Sequence, residues 1–120
     1  MKNVLIVDDA VFMRGALKAL LSSNDFNVVG EAADGEEAIK KYKELKPDLV
    51  TMDITMKGMD GIEGLKGILE FDPQAKVVMI SALGQEAAVK KAIICGAKSF
   101  IVKPYKNEHV IKTLNKIAGV

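Results

Sequence analysis

Five groups capable of ionic or hydrogen-bonding chemistry stand directly after short apolar runs. Asp8 and Asp9 follow LIV, Asp53 lies inside VTMDITM, Ser81 follows VVMI, and Lys103, itself followed by Pro104, comes after FIV. Three carboxylates gathered in one place repel one another, by ~4 kcal/mol per pair at about 4 Å and an effective dielectric near 20. A proton on one carboxyl group would offset that, as would a divalent cation together with the Lys103 ammonium. Oxygen donors without a neighbouring His or Cys suit Mg²⁺ or Mn²⁺ better than zinc, and Mg²⁺ held by one or two carboxylates keeps positions open for phosphate. The metal and Lys103 would then neutralise phosphoryl oxygens, and the Ser81 hydroxyl would bond another. The remaining carboxylate would be free to attack phosphorus in line and form an acyl phosphate.

For those groups to meet, the apolar runs must be strands of one sheet. Val4 to Val7, Val28 to Val29 continuing toward Ala32, Leu49 to Met52, Val77 to Ile80 and Phe100 to Val102 are short and rich in Val and Ile, the pattern of strands buried on both faces. Between them run segments of helical spacing. Their apolar stripes are Met13, Ala16, Leu17, Leu20 and Leu21; Ala38, Tyr42 and Leu45; Leu65, Ile68 and Leu69; Val89, Ala92 and Ile93; and Val110, Leu114 and Ile117. Asp9, Asp34 and Asp60 occupy N-cap positions, with Glu37 and Glu63 three residues after the last two in a capping-box arrangement. Gly96 suits the end of the fourth helix, and Pro47 follows the second where a helix cannot continue. Five strands alternating with five helices predict an α/β fold, a doubly wound parallel sheet in a single domain spanning residues 1–120. In such a sheet the crevice beyond the C-terminal strand ends is the binding site, and that edge carries all five groups. Pro104 predicts a fixed peptide, of the kind a cis bond supplies, that aims Lys103.

Composition narrows the classes. There are 17 Lys and Arg against 16 Asp and Glu, so bulk charge gives no reason to expect a nucleic-acid surface. The single cysteine, Cys95, excludes an intramolecular disulfide, fits a reducing compartment and reads as a small buried hydrophobe. No signal peptide is evident, since Asp8 stops the first apolar run, and no stretch approaches the ~20 apolar residues of a membrane span. A cytoplasmic, membrane-free monomer is the expectation. His109 has no second His or Cys at ligand spacing and reads as a surface residue. The basic run Lys40, Lys41, Lys43 and Lys46 reads as a solvated face.

Taken together, Asp8-Asp9, Asp53, Ser81-Ala82 and Lys103-Pro104 in these settings resemble the receiver domain of bacterial two-component response regulators, over the whole chain. The resemblance implies a flavodoxin-like sheet with strand order 2-1-3-4-5. It implies that Asp53 accepts a phosphoryl group from a histidine kinase. Mg²⁺ would be bound by Asp9, Asp53 and the backbone carbonyl of Thr55, with Asp8 supporting the metal site. Lys103 would pair with the phosphoryl group and Ser81 would follow its oxygen. Phe100, which spacing alone would place in the core at the sheet edge, would by resemblance be the switch aromatic. The surface of the fourth helix, fifth strand and fifth helix would then carry partner recognition. Two departures stand out: Lys57 where many members have Pro, and Phe100 where Tyr is common. The segments VDDAVFMR, VTMDITM and SALGQ are most similar to the chemotaxis branch of the family. That implies a chemotaxis histidine kinase, a flagellar motor switch protein and a phosphatase as partners, and no enzymatic activity beyond assisting phosphorylation and dephosphorylation of the chain itself.

Other readings share parts of this pattern. Asp34-Gly35 and Asp60-Gly61 are caps and turns rather than ligands. A flavin carrier would want a Ser/Thr/Gly-rich phosphate loop after the first strand, where this chain has two carboxylates. An Asp-nucleophile phosphatase of the haloacid dehalogenase type would carry D-x-D there, and the acids here are adjacent. A phosphorelay intermediate passing its phosphoryl group to a histidine phosphotransferase stays open on the residues alone.

Overall fold

The computed structural model describes residues 1–119. Its elements alternate: β1 (Lys2–Val7), α1 (Val11–Ser22), β2 (Phe26–Ala32), α2 (Gly35–Leu45), β3 (Leu49–Asp53), α3 (Gly61–Phe71), β4 (Val77–Ser81), α4 (Glu86–Cys95), β5 (Ser99–Val102) and α5 (Asn107–Ala118). The strands form one sheet in the order β2-β1-β3-β4-β5, with every neighbouring pair parallel. β2 is longer than its apolar run because Phe26 and Asn27 pair with Lys2 and Asn3 ahead of a register shift between Val4 and Leu5.

Side-chain alternation along the strands builds two cores. Val4, Ile6, Leu49, Val78, Ile80 and Ile101 face Leu17 and Leu21 of α1 and Val110 and Leu114 of α5. Leu5, Val7, Val50, Met52, Val77 and Met79 face α2, α3 and α4 through residues such as Ala38, Leu65, Ile68 and Ala92. With helices covering both faces, the central strands β3 and β4 are buried throughout and β1 from Val4 onward, while the edge strands β2 and β5 are covered only in part. The helical stripes hold with two exceptions: Ala16 is exposed, and so is Ile93, which stands at the edge of α4 rather than under it. Cys95 is half-buried against the second of these cores. His109 is exposed, and Lys40, Lys43 and Lys46 are exposed while Lys41 is half-buried.

Asp34 and Asp60 cap α2 and α3, accepting from the Glu37 and Glu63 amides at 2.8 and 2.9 Å. Glu37 returns its bond to the Ala33 amide at 2.7 Å, one residue before the cap, and Glu63 instead meets Lys66 at 3.6 Å. Asp9 does not cap α1. The N-cap is Ala10, whose amide donates to Asp8 Oδ1 at 2.9 Å, so the carboxylate pair turns toward the strand ends. Gly96 closes α4 at φ +118, and Lys46, at φ 45, ends α2 ahead of Pro47. Gly61 has a direct bearing on the strand edge: a Cβ there would collide with the Asp53 carbonyl oxygen, so only glycine lets α3 start against the end of β3.

Candidate functional site

The strand order reverses between β1 and β3, where the loops leave for opposite faces of the sheet and open a crevice. Asp8 and Asp9 leave β1 at this point and Asp53 is the last residue of β3. One carboxylate oxygen from each lies within 4.8 Å of the others. Asp8 and Asp53 are buried, while Asp9 is exposed at the mouth and accepts from the Lys57 amide at 3.2 Å. Lys103, beyond β5, spans the buried pair: its Nζ is 3.3 Å from Asp8 Oδ2 and 3.5 Å from Asp53 Oδ2. The Lys103–Pro104 peptide is cis, and the Lys103 amide donates to the Ser81 carbonyl at 2.7 Å.

The charges do not balance. Three carboxylates face one ammonium, and burial dominates the consequence: it pushes the Asp53 carboxyl from 3.8 up to about 6, opposed by Lys103 and reinforced by Asp8 and Asp9. Burial also works against the charge on Lys103, but Asp53 and Asp8 outweigh it and hold the ammonium above its ordinary range. Burial likewise raises the hydroxyl of Tyr105, two residues further on. A small oxygen-seeking dication would relieve the excess negative charge, and the donor set of Asp8, Asp9 and Asp53, with no His or Cys among them, fits Mg²⁺ or Mn²⁺.

Ser81 is the last residue of β4, and its Oγ is buried without a hydrogen-bond partner. An orphaned buried hydroxyl is costly, and it fits a site whose missing acceptor is an incoming oxygen-rich group. Thr55 stands two residues beyond Asp53, with its side chain engaged away from the carboxylates: Thr55 Oγ1 accepts from Gln85 Nε2 at 2.6 Å. Phe100 is not core. It is 43% exposed and lines a groove of about 500 Å³ with Val89, Ile93, Ile94 and Val102, which begins at Ser81 and runs along α4. The strand is too near the sheet edge for α4 to cover this ring.

Two supporting residues have no signal in the sequence. Arg14, in the first turns of α1, donates to the Asp8 carbonyl at 2.6 Å and pairs with Glu31 of β2 at 3.0 Å, fixing the turn that carries both acids. Gln85 ties the loop after β3 to the loop after β4. Each acts through tertiary contact, which no local spacing announces.

Comparison with known proteins agrees with this geometry. The response regulator receiver domain family matches residues 4–115. The chain is 55% identical over 117 residues to the chemotaxis protein CheY of Thermotoga maritima, covering 98% of each chain. It is also 55% identical over 114 residues to the CheY of Bacillus subtilis, covering 95% of each. Among solved structures, a CheX-CheY-BeF3-Mg complex from Borrelia burgdorferi superposes with a TM-score of 0.92 at 51% identity, over 97% of this chain and 88% of that one. The response regulator domain of Thermotoga maritima CheB superposes with a TM-score of 0.87 at 42% identity, over 100% and 98%. With the strand order, the acidic crevice and these relatives in agreement, the chain belongs to the response regulator receiver domain family, in its CheY-like chemotaxis branch.

Proposed function

We propose that the chain is a cytoplasmic phosphoacceptor that takes a phosphoryl group on Asp53 from a chemotaxis histidine kinase and passes the signal to the flagellar motor switch, with a phosphatase ending it. The observation that carries this reading is Asp53 itself, a buried carboxylate at the end of β3 within 4.8 Å of two others and bridged to one of them by Lys103. Asp9, Asp53 and the Thr55 backbone carbonyl would hold Mg²⁺, with Asp8 behind them. Bound there, Mg²⁺ supplies positive charge to the carboxylates and to phosphoryl oxygens.

An Asp53 carboxylate oxygen attacks phosphorus and forms the acyl phosphate P–O bond. The P–N bond to the kinase imidazole breaks, and the imidazole keeps that electron pair. In a separate hydrolytic step, water attacks phosphorus, the P–O bond to Asp53 breaks, and inorganic phosphate leaves as the carboxylate is restored. Lys103, no longer shared between two carboxylates, turns its charge to the phosphoryl group. Ser81 Oγ gains the acceptor it lacks, and its movement opens room for Phe100 at the head of the α4 groove. A conformational change of this kind requires contacts that differ between the two states, and Ser81 and Lys103 provide them.

Intact mass after incubation with Mg²⁺ and acetyl phosphate tests the reading. An acid-stable, base-labile phosphoryl adduct should form on the parent chain and be absent from Asp53→Ala. Equal labelling of both proteins, or of neither while Mg²⁺ binds normally, contradicts it. The step to the motor is tested separately: a labelled motor-switch peptide should bind the phosphorylated chain more tightly than the unphosphorylated one.

A further inference from the structure

Gln85 makes two hydrogen bonds with opposite ends of one amide. Its Oε1 accepts from the Ala82 amide at 2.6 Å, and its Nε2 donates to Thr55 Oγ1, also at 2.6 Å. The amide's orientation is dictated by its partners, because a backbone N–H requires the carbonyl oxygen and leaves the NH₂ for the hydroxyl. The first bond holds the loop leaving β4, directly after Ser81. The second holds the loop leaving β3, two residues after Asp53. Gln85 is also the N-cap residue of α4, but its side chain makes no cap bond, so both its polar atoms are committed to the bridge. It is half-buried at the point where the crevice meets the α4 groove.

We infer that Gln85 is a positioning residue, a clamp across the β3–α3 and β4–α4 loops that favours the unphosphorylated arrangement and sets how readily Asp53 modification switches the domain. This rests on the phosphoacceptor reading of Asp53. Ser81 Oγ is buried with no partner among the protein atoms, and on the phosphoacceptor reading the acceptor it takes is a phosphoryl oxygen on Asp53, toward which it must move. Ser81 cannot move toward Asp53 without carrying Ala82, whose N–H is held by Gln85. The Lys103 amide already ties the Ser81 carbonyl to β5, so the adjustment falls on the Ala82 side. A contact made in only one of two states biases the equilibrium toward that state, and its removal biases toward the other.

The test uses the full chain, saturating Mg²⁺ and beryllofluoride as the phosphoryl mimic. Gln85→Leu keeps the size of the side chain and loses both bonds; Thr55→Val, at an exposed position, cuts one end only. Two hydrogen bonds, each at the low end of ordinary worth in this partly exposed position, predict beryllofluoride affinity about fivefold higher in Gln85→Leu and about twofold higher in Thr55→Val. Hydrogen exchange at the Ala82 amide, measured by NMR without beryllofluoride, should accelerate in Gln85→Leu. A residue that merely supports the fold would lower the melting temperature without tightening the mimic. Unchanged or weaker beryllofluoride binding in both variants, or unchanged Ala82 exchange in Gln85→Leu, overturns the clamp. Failure of the parent chain to bind beryllofluoride overturns the phosphoacceptor reading, and the clamp with it.

Discussion

Replacing the nucleophile should make the protein more stable. Asp53 is buried, and its carboxyl sits at about 6 against an ordinary 3.8, with burial the leading cause. Each unit is worth about 1.4 kcal/mol, which bounds the cost of ionising it in the fold at about 3 kcal/mol without metal. Water at the mouth, where Asp9 is exposed, and the loss of the Lys103 contact reduce the gain to be expected from Asp53→Asn to about 1–2 kcal/mol. The sign follows from linkage. The folded value lies above the unfolded one, so the folded chain binds more protons between about pH 4 and 6, and stability falls as pH rises through that window. The penalty is complete above about pH 6 and absent below about pH 4. Asp53→Asn, which does not titrate, should therefore melt about 4–8 °C above the parent at pH 7.5 in chelator, with the difference shrinking toward zero near pH 4. Circular dichroism melts across that range measure it. Adding Mg²⁺ should then raise the parent more than the variant. A variant less stable than the parent at pH 7.5, or a gain of equal size at every pH, refutes the electrostatic account of the crevice.

Three further outcomes follow from the same contacts. Since protonation of Asp53 competes with a cation, Mg²⁺ affinity measured by calorimetry should be nearly flat above pH 7 and about tenfold weaker at pH 5. Arg14→Met releases the Asp8 carbonyl and leaves Glu31 with only the longer Lys18 contact at 3.8 Å, so Mg²⁺ should bind about three- to tenfold more weakly at a stability cost of about 1 kcal/mol, and Arg14→Lys should rescue only part of the binding because an ammonium cannot serve both partners as a guanidinium fork does. Gly61→Ala drives a Cβ into the Asp53 carbonyl and should destabilise the fold by more than about 2 kcal/mol in chemical denaturation, with a matching loss of phosphoryl uptake in the fraction that folds.

Most of the sheet was legible because its signals are local. A run such as Val77 to Ile80 must be buried on both faces, and Asp34 and Asp60 cap helices through the amides three residues on. The convergence of Asp8, Asp9, Asp53, Ser81 and Lys103 was legible for a different reason: in a parallel sheet, the residue after each strand falls on one edge whatever the loops do. Local spacing misled where a tertiary partner intervened. Asp9 stands where a cap should stand, yet the Asp8 carboxylate takes the Ala10 amide and leaves Asp9 to the Lys57 loop. Phe100 has the company of a core strand, but β5 is an edge strand and its outer face is only partly roofed by α4. Ile93 is exposed for the same reason. Gln85 and Arg14 were invisible because their partners lie on other elements: Thr55 is 30 residues from Gln85, and Glu31 is 17 from Arg14.

The most direct test of the account is the identity of the residue that carries the phosphoryl group. After incubation with Mg²⁺ and acetyl phosphate, borohydride reduction converts an aspartyl phosphate to homoserine, which peptide mass spectrometry locates. The account predicts homoserine at residue 53 alone, and none when Mg²⁺ is chelated. Conversion at Asp8 or Asp9, or no conversion in a folded chain that binds Mg²⁺, would contradict it.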